Sequence, residues 1–219
     1  MLGINTADGG RLAVAGFLLF AGCAERSPSQ FAALAEEPLQ AGVGLGQLKL
    51  MQTTLGSFTR KFGLAESVVT TDETSARIDF VKEGLTFLFG GDPACAQALS
   101  ERMSSASEPP DINAFLLQNP GCETMLLESI AAYIPEQNEP LYEGETLEGV
   151  GLNAAREMAE RAYRATQDAV NALESGTPLP EQPPQAPDEL RYPGLRIYLG
   201  RDPDGREVVR KLEVIPREY

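Results

Sequence analysis

Residues 194–203 read Gly-Leu-Arg-Ile-Tyr-Leu-Gly-Arg-Asp-Pro, and residues 84–93 read Gly-Leu-Thr-Phe-Leu-Phe-Gly-Gly-Asp-Pro. Both alternate apolar residues with a period of two, the pattern that buries one face of a strand. Both stop at Gly-x-Asp-Pro, where glycine frees the backbone and Asp-Pro starts a turn. Two such copies at a spacing of about 110 residues mark an internal repeat. The repeat predicts an α+β fold, with two tandem strand-helix-strands units, antiparallel sheets, and helices packed on one face.

Around the first copy, residues 76–81 form a further strand in which Ile78 and Phe80 alternate against Arg77 and Asp79, and 66–70 form another. Residues 126–134 supply the partner strand, echoed by 208–215 in the second unit. One copy carries an extra residue, so a bulge or an end slip separates them. Between 90 and 125 the first unit makes an excursion, where the second has only the turn Asp202-Pro203-Asp204-Gly205. Within it Asp92 and Asp111 are caps of two short helices, the second containing Phe115, Leu116 and Leu117. Cys95 and Cys122 fall near the two roots of the excursion, where paired strands bring them together. A disulfide is expected, contributing about 3–4 kcal/mol by loop closure. A catalytic or metal-binding thiol pair has neither CxxC spacing nor a histidine to support it.

Upstream, residues 45–50 read as a short strand with Leu48 and Leu50 on one face. Thr53 or Thr54 caps a helix whose stripe is Leu55, Phe58 and Phe62, and Gly63 closes it. In the second unit residues 146–152 are the candidate strand, and Asn153 caps a helix over 154–175 that Gly176 ends. Met158, Ala159, Ala162, Tyr163, Ala169, Val170 and Leu173 are its expected buried stripe. Arg156, Glu157, Glu160, Arg161 and Arg164 take the wet side. Residues 178–187 are proline-rich and read as an extended linker of about 30 Å, with a Pro-rich docking ligand as the alternative.

The 219 residues carry a net charge of −14, which repels nucleic acid phosphates and anionic headgroups at long range. Histidine is absent, removing the usual general base and the commonest transition-metal ligand. Gly42-Val43-Gly44-Leu45-Gly46 lacks the preceding strand and the lysine of a phosphate loop. Asp202-x-Asp204-Gly205 lacks the later ligands of a calcium loop and reads as a β-turn. Residues 188–219 are balanced in charge, so the negative excess lies in 1–187. Within 188–219, Arg196 and Tyr198 point away from Leu195, Ile197 and Leu199, and Lys211 joins them from the facing strand. A face bearing Arg, Tyr and Lys is the expected partner-binding surface, with an ordinary solvated face as the alternative. In the first copy Leu88 takes the corresponding side, which predicts a covered face there.

Residues 12–22 are an apolar run too short for a membrane span, which needs about 20 residues, and fit a secretory signal flanked by Arg11. Leu19-Phe20-Ala21-Gly22-Cys23 resembles the lipobox of bacterial lipoproteins, which implies lipidation of Cys23 as the mature N-terminus. A plain cleaved signal, with Ala21 and Cys23 before the cut, and a cytosolic start are the alternatives. Ala24 stands where the inner-membrane retention signal has Asp, so the same resemblance implies the outer membrane. Two or more acyl chains suffice for stable anchoring.

The order of strand, Gly-closed helix, Gly-Leu-x-apolar-x-apolar strand, Asp-x-Asp-Gly turn and last strand resembles the SmpA/OmlA (BamE-like) outer-membrane lipoprotein family. The resemblance rests on residues 19–23, on 48–63 and most clearly on 195–215. It implies small α+β modules. The tandem arrangement is also similar to the β-lactamase-inhibitory proteins, which bind another protein across their sheet. The expected organisation is a lipoprotein signal peptide (1–22), a tether (23–40), a first unit (41–137, insertion 90–125) and a second (138–219, linker 178–187). The expected function is that of a non-enzymatic envelope lipoprotein, a protein-binding or adaptor module in an outer-membrane assembly, facing the periplasm. Its partner is an envelope protein, its membrane contact the lipid anchor, and no cofactor, metal or nucleic acid is expected. The alternatives are a histidine-free hydrolase or small-ligand binder with a cleft between the units, and a secreted or soluble periplasmic form.

Overall fold

The computed structural model describes residues 34, 37–64, 67–72, 74–91, 93–105, 112–135, 142–173 and 188–217. The expected signal peptide, Cys23, most of the tether, Asp92, Asp111, Gly176 and the linker lie outside these residues, as do the side chains of Ala169, Val170 and Leu173. The architecture is α+β. Strands β1 (Leu39–Gln40), β2 (Gly44–Leu45) and β3 (Leu48–Lys49) make a small sheet. The main sheet has seven strands: β4 (Val68–Thr71), β5 (Ser75–Phe80), β6 (Leu85–Gly90), β7 (Leu126–Tyr133), β8 (Glu189–Tyr192), β9 (Leu195–Arg201) and β10 (Glu207–Val214). Their spatial order is β4-β5-β6-β7-β10-β9-β8, and every pairing is antiparallel. The join lies between β7 and β10, where Ile130 faces Val214 and Ala132 faces Leu212.

Among the described residues four helices accompany the sheets: α1 (Leu55–Phe62), α2 (Pro93–Ser105), α3 (Ile112–Gln118) and α4 (Arg156–Leu173), with a 3-10 turn at Pro120–Thr124. Thr54 caps α1 through a reciprocal capping box with Ser57, and Gly63 ends it at φ 69°. This fixes the stripe so that Phe58 points at the sheet. Its ring centroid lies 4.8 Å from Phe87, 5.2 Å from Phe89 and 6.3 Å from Phe80, and the side chain is buried. On the other half of the sheet Ala159 and Tyr163 of α4 are buried, and Tyr163 stacks on Tyr192 at 4.8 Å. One apolar cluster runs under both halves, from Phe58 and Ile78 to Ile197 and Leu212.

Several local expectations are corrected. Residues 45–50 are not one strand, because Gly46, at φ +53°, folds them into the β2–β3 hairpin. Residues 146–152 form no strand either. Thr146 hydrogen-bonds Val150, and Gly149 at φ +77° turns the chain back on itself. Asn153 does not cap α4, which begins at Arg156. It adopts φ 64° and donates its N–H to the Val209 carbonyl, so a long-range strand contact displaces the cap. Met158 is exposed, because Ala159 and Tyr163 take the inward direction. Arg156 is tied to Glu160 at 2.7 Å and to Glu207 at 3.0 Å.

The choice between a bulge and an end slip resolves into two bulges. Glu128 is the extra residue of β7 opposite Leu88 and Phe89, and Arg210 the extra residue of β10 opposite Leu199 and Tyr198. Each lies over a glycine of the next strand: a Cβ at Gly90 would run into the Glu128 carboxylate, and one at Gly200 into Cγ of Arg210. Each bulged strand also grips the segment before a helix. Met51, at φ 56°, donates to the Leu127 carbonyl as Asn153 donates to that of Val209.

The segments before the two helices cross to the opposite half of the sheet. Gly42 donates its N–H to Gly194 at 2.8 Å, and Tyr142 donates to Glu83 at 3.1 Å. Between these segments Leu39 donates to Glu145, and Leu147 donates to Leu39. Phe58→Ala removes the ring that α1 places on three phenylalanines, and its expected cost is about 3–5 kcal/mol. Urea denaturation followed by circular dichroism measures it.

Candidate functional site

The strand register carries one row of outward-facing residues across all seven strands. From edge to edge it runs Val68, Asp79, Thr86, Ala131, Glu213, Arg196 and Arg191, each opposite the next. A neighbouring row pairs Tyr133 with Lys211, Lys211 with Tyr198 and Tyr198 with Glu189. Alternation sends the phenylalanines of β5 and β6 to the core and this polar set to the opposite face. The structure therefore brings Arg196, Tyr198 and Lys211 together on one face, as their spacing predicts.

Their hydrogen bonds and charges are specific. The Tyr198 hydroxyl donates to Oε2 of Glu213 at 2.8 Å, and Nζ of Lys211 lies 3.5 Å from the other oxygen of the same carboxylate. The ammonium also sits 4.6 Å from the Tyr198 ring centroid, within cation–π range. Burial and the bond to Glu213 push the Tyr198 phenol above its ordinary pKa. The hydrogen bond from Arg191, at 2.9 Å, holds the Glu189 carboxyl below the usual range. Across the join, Nε of Arg77 lies 2.9 Å from Asp79, which also accepts from the Thr86 hydroxyl. Tyr133 is pushed up by burial and then by the Asp79 charge.

Between these clusters the face is dented. Thr86, Ser129 and Ala131 point outward yet are buried, because they are small and their neighbours rise around them. The result is an open groove of about 310 Å³ at the β6–β7–β10 join, walled by Arg77 on one side and by Lys211 and Glu213 on the other. Leu88 lines this groove and is half-buried, so the expected covered face is corrected to an open one. Sequence reasoning missed Arg77, Asp79, Thr86, Ser129, Ala131 and Glu213. Their signal was a set of small or polar residues at outward positions of central strands.

Cys95 and Cys122 lie at disulfide distance, with Cα atoms 5.3 Å apart and both side chains buried. They tie α2 to the 3-10 turn that leads into β7. In the turn after β9, Asp202 accepts the amides of Asp204 and Arg206, and Arg206 places its guanidinium on the same carboxylate. An arginine thus occupies the carboxylate that a calcium ion would need. Gly42 to Gly46 span the β1–β2 turn, strand β2 and the start of the β2–β3 turn, and Gly44 packs against the Leu48 carbonyl.

No protein-family model, curated protein or solved structure matches this chain.

Because folding raises the Tyr198 pKa, its contribution to stability is fully present below about pH 10 and is lost as pH rises through the shifted value. Phenolate absorbance should show one late-titrating group missing in Tyr198→Phe, with a shallower loss of stability above pH 10. Thiol titration of denatured, unreduced protein should find Cys95 and Cys122 unreactive. Replacing both by serine should cost about 3–4 kcal/mol in urea unfolding.

Proposed function

We propose that this chain is a cell-envelope lipoprotein that works as a non-enzymatic adaptor, built from two copies of one α+β module of the SmpA/OmlA type. Lipid on Cys23 anchors it at the outer membrane, facing the periplasm, and the sheet face bearing Arg196, Tyr198 and Lys211 receives an envelope protein. The observation that carries the reading is an outward row that crosses all seven strands, polar but for Val68 and Ala131, with a groove at its centre. Protein partners commonly contact surfaces of this kind through Arg and Tyr anchored around a depression.

The tandem reading is supported by features that recur at matching places. Gly84 and Gly194 both take positive φ, and Gly90 and Gly200 both lie beneath a bulged residue. Met51 and Asn153 both turn left-handed to grip the bulged strand. A small-ligand or hydrolytic reading draws on the converging polar groups of the groove. Against it, Asp79 is already engaged by Arg77 and Thr86, and Glu213 by Tyr198 and Lys211.

Fractionation of cells making the full chain should place the wild type with membranes and Cys23→Ala in the soluble fraction. A photoreactive residue introduced at position 88, inside the groove, should capture one reproducible envelope protein. A wild-type chain recovered only as a soluble, uncrosslinked monomer would sink the proposal.

A further inference from the structure

The two edges of the main sheet are built differently. β8 carries charge at Glu189 and Arg191 and is bounded by Pro187 and Pro193, devices that keep an edge from pairing with another chain. β4 has neither. It reads Val-Val-Thr-Thr, pairs with β5 without a bulge, and leaves Val68 52% exposed. Its open backbone groups can be assigned. Asp72 donates its N–H to the Ser75 carbonyl, so 72 and 75 are a hydrogen-bonded pair, and in an antiparallel ladder such pairs alternate. Val68 and Thr70 therefore bond to β5 at Asp79 and Arg77, while Val69 and Thr71 direct their N–H and C=O groups to the open edge. Among the described residues neither of these amides meets an acceptor. Beyond them the edge stops, because Ser67 donates to Leu64 on one side and the chain turns at Asp72 on the other.

We infer that β4 is the seam of a homodimer, in which the β4 strands of two copies pair antiparallel about a two-fold axis normal to the sheet. The axis passes beside Thr70. Val69 of each copy then exchanges both main-chain bonds with Thr71 of the other, and Thr70 lies opposite Thr70, a favourable cross-strand pair. The symmetry sets inward residues opposite inward ones, since Val69 and Thr71 share the side of Ile78 and Ala76, both buried. The edge itself selects a second copy as its occupant. The open stretch is short, and a second copy offers the same two residues at the same spacing, so both edges are satisfied together. No like charges are opposed, because Val68 meets Asp72, whose carboxylate is already engaged by Thr74 and Ser75. Thr70, Thr71 and Asp72 also line the groove, so it runs out to this edge. The two-fold axis would set both grooves on one face, end to end across the seam.

Thr70→Cys tests the seam in the full chain, because the register puts the two residues 70 at a non-hydrogen-bonded position with Cα atoms about 4.5 Å apart. Mild oxidation should convert this variant to a disulfide-linked dimer on a non-reducing gel, with the wild type as the baseline. Val68→Cys should crosslink at least tenfold less, since the same register holds the two residues 68 roughly 13 Å apart along the strands. Mixing Val68→Cys with Asp72→Cys should restore the crosslink. Thr71→Pro removes an open N–H that β5 does not use, and added to Thr70→Cys it should cut crosslinking at least tenfold. Thr70→Lys sets an ammonium against its own copy and should raise the dimer dissociation constant at least tenfold in sedimentation equilibrium. Unchanged thermal unfolding of Thr70→Lys separates a lost dimer from a lost fold. Thr70→Cys that stays monomeric, Val68→Cys that crosslinks equally, or a dimer indifferent to both Thr71→Pro and Thr70→Lys overturns the inference. So does a Thr70→Cys chain captured by a different protein, which would give the edge to a foreign strand. Capture at position 88 bears on the adaptor reading alone, so the two proposals fail separately.

Discussion

The pairing of β7 with β10 is the constraint on which the rest of the structure depends. Ile130, Ala132, Leu212 and Val214 are all buried along it, and they lock the register of the two strands to their neighbours. A slip of β10 by one residue would turn Leu212 and Val214 outward and send Glu213 and Lys211 into the core. The join also makes the groove. One wall comes from Arg77 on β5 and the other from Lys211 and Glu213 on β10, side chains that no local segment could assemble. Were the two halves separate sheets, each would present an open edge there, with unpaired amides and carbonyls.

The arrangement on the face orders side chains more than it stabilises the fold. Exposed ion pairs contribute about 0–1 kcal/mol each, so neither Arg77–Asp79 nor Lys211–Glu213 holds the sheet together. What they do is fix positions. The ammonium of Lys211 is held between a carboxylate and an aromatic ring, and Tyr198 is held by its hydroxyl. Groups already held in place lose less freedom when something docks on them.

Much of the strand pattern was legible because alternation is a local signal, and β5, β6, β7, β9 and β10 lie close to where the apolar periods put them. Arg196, Tyr198 and Lys211 could be grouped because the β9–β10 hairpin is short and its turn sets their register. The other half of the face could not. Thr86, Ser129 and Ala131 look like ordinary outward residues until the β7–β10 register places them at the bottom of a groove. Asn153 illustrates the opposite failure. A polar residue before an apolar helix has the chemistry of a cap, but its bond to Val209 comes from a strand far along the chain and overrides the local preference.

The crossing of the segments before the two helices bears on how the molecule is made. Gly42 is bonded to Gly194, and the guanidinium of Arg217 reaches the Ala41 carbonyl across 176 residues of sequence. Contacts of such span are slow to form, since the loop entropy must be overcome before they contribute. A chain growing from its N-terminus carries Ala41 and Gly42 long before Arg217 and Gly194 exist to meet them. The contacts of Ala41 and Gly42 therefore close only after the β9–β10 half has been made.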